Sequence, residues 1–361
     1  MSLKARLVRE IALTGPMTVS AYVTRCLHDP QDGYYATRPA RHAILGEDGD
    51  FITAPLVSQM FGELIGLWAV ETWVKLGSPG RFSLVEVGPG DGTLMSDALR
   101  AARLDPAFVA ACDLILIEPS APLRAAQKAA LDHSVLTPRW ADRLDDIPGR
   151  RPVILIANEV LDCMPADQIV RTEDGWADRL VGVDDEGGLI FGLRPRNGGF
   201  WVPDIPWNPG EVLEYSEQQA SFARSLSSLV RDCGGAALLI DYGRAELDTG
   251  DTLQALRRHR KVGPLEAPGE DDLTQWADFN TVRAAARESG AAITPCIGQG
   301  DFLRALGIEI RAERLKAARP EAAPVIDRQM NRLIADDEMG TLFKACAIFS
   351  PSDLSVPGFE P

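Results

Sequence analysis

Glu86 opens the stretch of this 361-residue chain that is richest in chemistry. It is followed, after Val87, by Gly88-Pro89-Gly90-Asp91-Gly92, a turn in which three residues lack a Cβ. Such a turn lets the backbone take positive φ and lets a ligand approach the main chain closely. Its spacing does not match G-x-G-x-x-G, and no G-K-[ST] follows, so neither a dinucleotide turn nor a P-loop is read here. A second acid, Glu118, ends the next apolar run and precedes Pro119 and Ser120. Ligands of doubly wound sheets lie outside the carboxyl ends of the strands, and an acid there can accept both hydroxyls of a ribose, which suits adenosine. Asn158, Glu159 and Asp162 follow a later apolar run, and Asp241 and Tyr242 end another. Each has a plainer reading as well: an ordinary βα turn, a solvated strand-end acid, a helix cap or a surface ion pair. His28, His42 and His133 show no ligand spacing and are read as structural or surface residues. The six cysteines are scattered without a C-x-x-C pair, which indicates a reducing compartment and no metal site.

The elements that must position these groups alternate strand and helix. Leu84, Val85 and Val87 form a short apolar strand of the kind a parallel sheet buries on both faces. A helix from Met95 to Ala102 follows the glycine turn, and amides at its start are ready donors. Asp113 to Glu118 reads as the second strand, a helix runs from about Ala121 to Leu131, and Val135 to Trp140 reads as the third strand. Pro152 to Ala157 is the fourth strand and Ala236 to Asp241 the fifth, with a helix from about Ser216 to Asp232 stopping at Gly234 and Gly235. This rhythm predicts an α/β fold, Rossmann-like, with helices on both faces of a mostly parallel sheet. Two interruptions stand out. Gln168 to Asp204 turns to short alternating segments, which predicts an inserted β-meander. Gly243 to Thr274 is polar and broken by Gly and Pro, which predicts an extended lid-like segment. Residues 1–80 are thus expected to be an N-terminal helical segment and 81–361 the core, with insertions at about 168–210 and 243–275.

Composition bounds the function. The hydrophobic fraction of 45% and mean hydropathy of -0.06 are those of a globular protein. No apolar stretch approaches the roughly 20 residues needed to cross a bilayer. The N-terminus lacks a secretory apolar core and reads as an amphipathic helix running straight into folded pattern. Lys4, Arg6 and Arg9 hint at a mitochondrial presequence, but Glu10 and the immediate start of pattern argue against one, so a cytoplasmic location is expected. A net charge of -15 disfavours nucleic acid as a partner, since phosphate contacts need a basic face. It is compatible with a cationic substrate, although acidity so diffuse is more often a solubility feature.

The run Val85–Met95 resembles the first motif of class I S-adenosylmethionine-dependent methyltransferases. More of the chain joins it in order: GYY at Gly33 to Tyr35, GDFITAP at Gly49 to Pro55, SQMFGELIG at Ser58 to Gly66, and IEPS at Ile117 to Ser120. NEVLDCMPADQ at Asn158 to Gln168, LLIDYG at Leu238 to Gly243, GDTLQALRRH at Gly250 to His259 and QGDFL at Gln299 to Leu303 complete the set. Together they resemble the MidA-like family, whose mitochondrial members are respiratory complex I assembly factors and protein arginine methyltransferases. Leu56 and Gly298 depart from that pattern, in segments expected on the substrate side.

The resemblance implies a seven-stranded sheet in which Ala345 to Ser350 is an antiparallel core strand. It implies S-adenosyl-L-methionine as cofactor, without a metal, held by Glu86, Gly88, Gly90, Asp91, Glu118 and Pro119. N-terminal segments of such folds close over the cofactor, which adds Asp50, Phe51 and Thr53. Asn158, Glu159 and Asp162 would face the transferable methyl, and carboxylates there could fix the fork of an arginine guanidinium bidentately. Asp241, Tyr242 and His259 would line the acceptor channel. The implied acceptor is arginine in a protein partner, such as a respiratory NADH dehydrogenase subunit. A small-molecule methyltransferase on the same fold and a non-catalytic assembly factor are the alternatives.

Overall fold

The structure, a computed structural model, describes residues 1–37, 53–197, 202, 205–257 and 260–360. Strand β1 (Met17–Thr18) lies in the N-terminal segment, and the core begins with β2 (Phe82–Val87), β3 (Cys112–Ile117), β4 (Arg139–Ala141) and β5 (Val153–Asn158). An insertion carries β6 (Asp167–Thr172), β7 (Gly175–Val183), β8 (Leu189–Pro195) and β9 (Val212–Tyr215). The chain returns with β10 (Gly235–Arg244) and departs again for β11 (Gln254–Arg257), β12 (Arg260–Val262) and β13 (Asp272–Thr274). It ends through the two-residue strands β14 (Ala277–Asp278), β15 (Ala292–Ile293) and β16 (Ile297–Gly298), and then β17 (Phe343–Ser350).

The main sheet has the order β15-β17-β10-β5-β2-β3-β4. Its central strands are parallel: Val85 stands opposite Ile115 on one side and Leu155 on the other. β17 is antiparallel to β10, with Leu239 opposite Cys346, as expected for the C-terminal strand. Among the described residues the sheet counts nine strands where seven were expected, because β14 and β16 add to the path by pairing with β10 and β17. Such short pieces satisfy backbone groups along strands that would otherwise leave them bare. The third strand is shorter than predicted, and Val135 is 47% exposed. Pro138 has no N–H to give a ladder, so pairing begins only at Arg139.

Alternation along the strands builds two cores. Leu84, Ile154, Ile156, Leu238 and Ile240 point to one face, against Phe61, Trp68, Met95 and Phe108. Val85, Leu155, Leu239 and Ile348 point to the other, against Leu226 and Phe279. Burial of each such side chain is worth about 1.5–3 kcal/mol, so continuous apolar strands commit the chain to this layering. The helix Gln59–Lys75 belongs to the first of these cores. It lies tightly on the helix Thr93–Ala102, the element that springs from the glycine turn. A Cβ at Gly66 would fall 2.3 Å from the Ala98 carbonyl oxygen, and one at Gly62 would fall 2.6 Å from Asp97 Cβ.

β6, β7 and β8 form the expected meander, and β9 and β1 extend it to a five-stranded sheet. It is tied to the main sheet by a buried ion pair, Arg244 with Glu214 at 3.0 Å. Gln168, Thr252 and Gln275 also donate to the Glu214 carboxylate. The segment Gly243 to Thr274, expected to be extended and lid-like, instead folds largely into a small sheet. β11, β12 and β13 pair antiparallel, and Ala255 and Leu273 pack with Leu7, Tyr22 and Leu27 of the N-terminal helices. Among the described residues no helix is long and apolar enough to cross a membrane.

The helix seat at Gly66 is testable. A methyl group there meets backbone atoms that cannot rotate away, which outweighs the roughly 1 kcal/mol that alanine gains in a helix. Gly66→Ala is expected to lower the denaturant midpoint at unchanged slope, a loss of about 1–3 kcal/mol. Gly80→Ala, whose Cβ meets nothing within 4 Å, should leave the midpoint where it is. Equal midpoints for the two variants would contradict the close approach.

Candidate active site

A cavity of about 1060 Å³ runs along the carboxyl edge of β3, β2 and β5. Glu118, Pro119 and Ser120 line one end, Glu86, Gly88, Gly90 and Asp91 the middle, and Asn158, Glu159 and Asp162 the other end. Thr53 and Leu56, and with them Leu27, His28 and Tyr35, close it from the N-terminal segment. Asp50 and His259, both expected at the site, lie outside the described residues, as does Phe51.

The glycine turn bends as its sequence predicts. Gly88 and Gly90 have φ of 63° and 56°, values that favour residues without a Cβ. Asp91 Oδ1 accepts the Thr93 N–H at 2.9 Å and so helps start the following helix. Glu86 is buried at the end of β2, and its Oε2 has no hydrogen-bond partner. Burial, and then the nearby Asp91, push this carboxyl up to about 8. Glu118 Oε1 accepts the Ser120 N–H at 2.8 Å, and Oε2 accepts from Gln127 Nε2 at 3.3 Å. Burial raises the Glu118 carboxyl as well.

Gln127 is a site residue that the sequence reading passed over. It is fully buried, donates to the Gly90 carbonyl at 2.9 Å, and accepts the Trp140 indole N–H at 2.8 Å. One amide thereby fixes the turn against the strand-end acid. A signal existed: Leu123, Gln127 and Leu131 fall four residues apart on one face of their helix, and an amide between two leucines there needs partners.

At the β5 end, Glu159 takes φ of 54°, a left-handed conformation costly for a residue with a side chain. Its N–H donates to the Ile240 carbonyl at 2.8 Å, which holds the turn against β10. Its Oε1 accepts Asn158 Nδ2 at 3.0 Å and the Ala54 N–H at 3.2 Å. Asn158 Oδ1 is buried without a partner. Burial first, and Asp162 second, push the Glu159 carboxyl up to about 8. Asp162 accepts from the Tyr242 hydroxyl at 2.9 Å and from the Cys163 thiol at 3.2 Å, and burial raises its carboxyl too.

Asp241 and Tyr242, expected in the channel wall, do not line the cavity; they stand behind it. Asp241 is fully buried and accepts the backbone N–H groups of Leu161, Asp162 and Tyr242 at 2.8, 3.1 and 2.8 Å. Strand alternation turns the acid into the protein, where a turn needs its oxygens. Gly298 is also not among the lining residues: a Cβ there would fall 2.8 Å from the Gly340 carbonyl oxygen, so packing excludes a larger residue. His28, read from sequence as structural or surface, lies on the cavity wall.

The site is unbalanced in charge. The described partners of the Glu118, Glu159 and Asp162 carboxylates are amides, a hydroxyl, a thiol and backbone N–H groups; Arg124 donates only to the Glu118 backbone carbonyl, from where its charge lowers the Glu118 carboxyl. Buried acids without cations are costly, and the cavity therefore suits a ligand that brings positive charge and donors. A molecule with an ammonium for Glu86, a diol for Glu118 and a cationic centre between them fits this set of acceptors.

Comparison with known proteins agrees. A family model for S-adenosyl-L-methionine-dependent methyltransferases matches residues 64–296. The mitochondrial protein arginine methyltransferase NDUFAF7 of Xenopus tropicalis is 32% identical over 379 residues, spanning 96% of this chain and 86% of that protein. Its Bos taurus counterpart is 33% identical over 371 residues, spanning 95% and 82%. A crystal structure of a superfamily member from Burkholderia thailandensis, bound to S-adenosyl-homocysteine, matches with TM-score 0.84 at 28% identity, covering 99% of this chain and 92% of that one. This chain thus belongs to the family of S-adenosyl-L-methionine-dependent methyltransferases that includes the NDUFAF7 proteins, and S-adenosyl-L-methionine is its cofactor.

Proposed function

We propose that this methyltransferase modifies arginine in a protein partner, with Glu159 and Asn158 receiving the guanidinium. The observation that carries the reading is the group of buried, cation-free acids at the β5 end of the cavity. The names of the relatives support it, since those proteins are protein arginine methyltransferases. The resemblance to their family further suggests a respiratory NADH dehydrogenase subunit as partner, met by this chain in the cytoplasm.

The residues divide the work. Glu86 pairs with the ammonium of the bound cofactor, Gly88 and Gly90 admit it close to the backbone, and Glu118 accepts its ribose hydroxyls, with Pro119, Asp91 and Thr53 shaping the walls. Bound S-adenosyl-L-methionine supplies an electrophilic methyl on a sulfonium. Glu159 Oε1 already accepts two donors, which leaves Oε2 for the acceptor, beside the unpartnered Asn158 Oδ1. The fork is therefore held by Glu159 and Asn158. Asp162, whose oxygens already hold Tyr242 and Cys163, adds negative charge behind them. A guanidinium keeps its charge at neutral pH, its pKa being above ~12. Its arrival pulls the Glu159 carboxyl below about 8 and drives out a proton. The ionised Glu159 then takes the proton that the methylated nitrogen loses.

Three outcomes are expected. Glu118→Ala removes a charge-assisted acceptor worth ~1.5–3 kcal/mol, so calorimetry should show cofactor affinity falling roughly ten- to a hundredfold; unchanged affinity in the folded variant would remove Glu118 from the site. Glu159→Gln should lower methyl transfer by about 10²–10⁴-fold while cofactor affinity stays within a few-fold. Because binding releases a proton from a group near 8, kcat/KM of the wild type should rise with pH up to about 8 and then level off. A profile flat across that range would contradict the role of Glu159. Mass spectrometry of arginine methylation in cells with and without this protein tests the acceptor. Turnover of a small amine or phenol with no arginine labelled would point to a small-molecule methyltransferase instead.

A further inference from the structure

Beyond the carboxylates, the cavity holds an aromatic feature that the methyl-transfer chemistry does not use. His28, at the end of the helix Val19–His28, stacks on Tyr35 with ring centroids 5.6 Å apart and planes inclined by 26°. Both line the cavity, and His28 is exposed while Tyr35 is half-buried. Both are fastened to Cys163. The Tyr35 hydroxyl lies 2.9 Å from Cys163 Sγ, and His28 Nε2 lies 3.5 Å from the Cys163 carbonyl oxygen. A carbonyl only accepts, so Nε2 carries the hydrogen. The Cys163 thiol in turn donates to Asp162 Oδ1 at 3.2 Å, so its sulfur takes the Tyr35 proton. The ring pair is thus fixed to the residue that follows the acceptor-side acid.

Position separates this wall from the cofactor. Glu118 follows β3 and Asn158 ends β5, two strand spacings or roughly 10 Å apart. Glu86 on β2 and the glycine turn that follows β2 fall between them. The ring pair is tied to Cys163, which follows Asp162 in the turn after β5, and reaches solvent at His28. An exposed aromatic face that leads to buried acids is complementary to a flat cation on an apolar stem. Guanidinium groups stack on such rings, and methylenes pack against them.

We propose that His28 and Tyr35 form the entry slot of the acceptor, gripping the stem and head of an arginine side chain on its way to Glu159. The assignment rests on the arginine reading above and adds the residues that recognise the side chain before chemistry.

The test measures KM for a peptide carrying one arginine, together with calorimetric affinity for S-adenosyl-homocysteine. His28→Ala should raise the peptide KM about three- to tenfold, leave kcat within about twofold, and leave S-adenosyl-homocysteine affinity unchanged. His28→Phe keeps a ring without the N–H and should restore most of the KM. The wild type gives a check that needs no variant: butylguanidinium should compete with the peptide at least about threefold better than methylguanidinium. Equal competition by the two guanidines, or an unchanged KM in folded His28→Ala, overturns the slot. Weakened S-adenosyl-homocysteine binding in His28→Ala also overturns it, by giving the wall to the cofactor. If the wild type methylates arginine and these results still fail, only the slot falls. If it methylates no arginine at all, the arginine reading falls and takes the slot with it.

Discussion

Asp241 sits on β10 just past its last pairing with β5, out of contact with solvent, and three backbone N–H groups converge on its carboxylate. Two of those groups belong to Leu161 and Asp162, in the turn after β5. That turn holds Glu159 in a left-handed conformation, which costs of order 1–3 kcal/mol. Hydrogen bonds of this kind contribute about 0.5–1.5 kcal/mol each, so the two from Leu161 and Asp162 together are comparable to the strain. Burial, with Asp162 and Glu159 nearby, still raises the Asp241 carboxyl well above its ordinary value. The brace therefore works against its own electrostatics, and it shares the turn with the Glu159 N–H bond to the Ile240 carbonyl and the Tyr242 bond to Asp162.

The same tension explains the ligands. Glu86, Glu118, Glu159, Asp162 and Asp241 all have carboxyls raised chiefly by burial. Two unit charges 4 Å apart interact by about 4 kcal/mol at an effective dielectric near 20, so several ionised acids cannot share this edge without counter-charge. Among the described residues no lysine or arginine forms an ion pair with Glu86, Glu118 or Glu159, and only for Glu118 does a nearby cation, Arg124, lower the carboxyl. The sulfonium and ammonium of the cofactor are cations that suit such an edge. A site so short of counter-charge favours a ligand that carries its own.

Much of this was legible in the chain. Apolar runs marked β2, β3, β5 and β10, the change of period after Gln168 marked the meander, and glycine spacing with Glu118 marked the edge along which the cavity runs. What escaped had a common physical cause. Periodicity tells which face of an element is buried, but not which distant residue a buried polar group meets. Asp241 was placed at the right edge, yet its partners are 79 and 80 residues away. Gln127 serves a turn 37 residues upstream, and His28 reaches Cys163 across 135 residues. The polarity of Gly243 to Thr274 suggested an extended, lid-like segment. In the folded chain Arg244 and Thr252 of that segment satisfy the buried Glu214, so their polarity serves an interior network.

The N-terminal segment shows how closely site and scaffold are joined. It is tempting to regard such a segment as a cover laid over a finished fold. Yet the Ala54 N–H donates directly to Glu159, and Tyr35 and His28 are pinned beside Asp162. Ala54 opens the helix Ala54–Val57, which Ser58 joins to the helix Gln59–Lys75. There Gly62 and Gly66 allow contact with the helix Thr93–Ala102 that follows the glycine turn. One continuous stretch thus touches the Glu159 carboxylate at one end and supports the helix after the glycine turn at the other. A shift of that stretch would move both ends together, so alignment of methyl donor and acceptor depends on packing some distance from either. In-line transfer is sensitive to displacements of about 1 Å, and close-packed helices with no room for a methyl group are the part of this fold able to hold that tolerance.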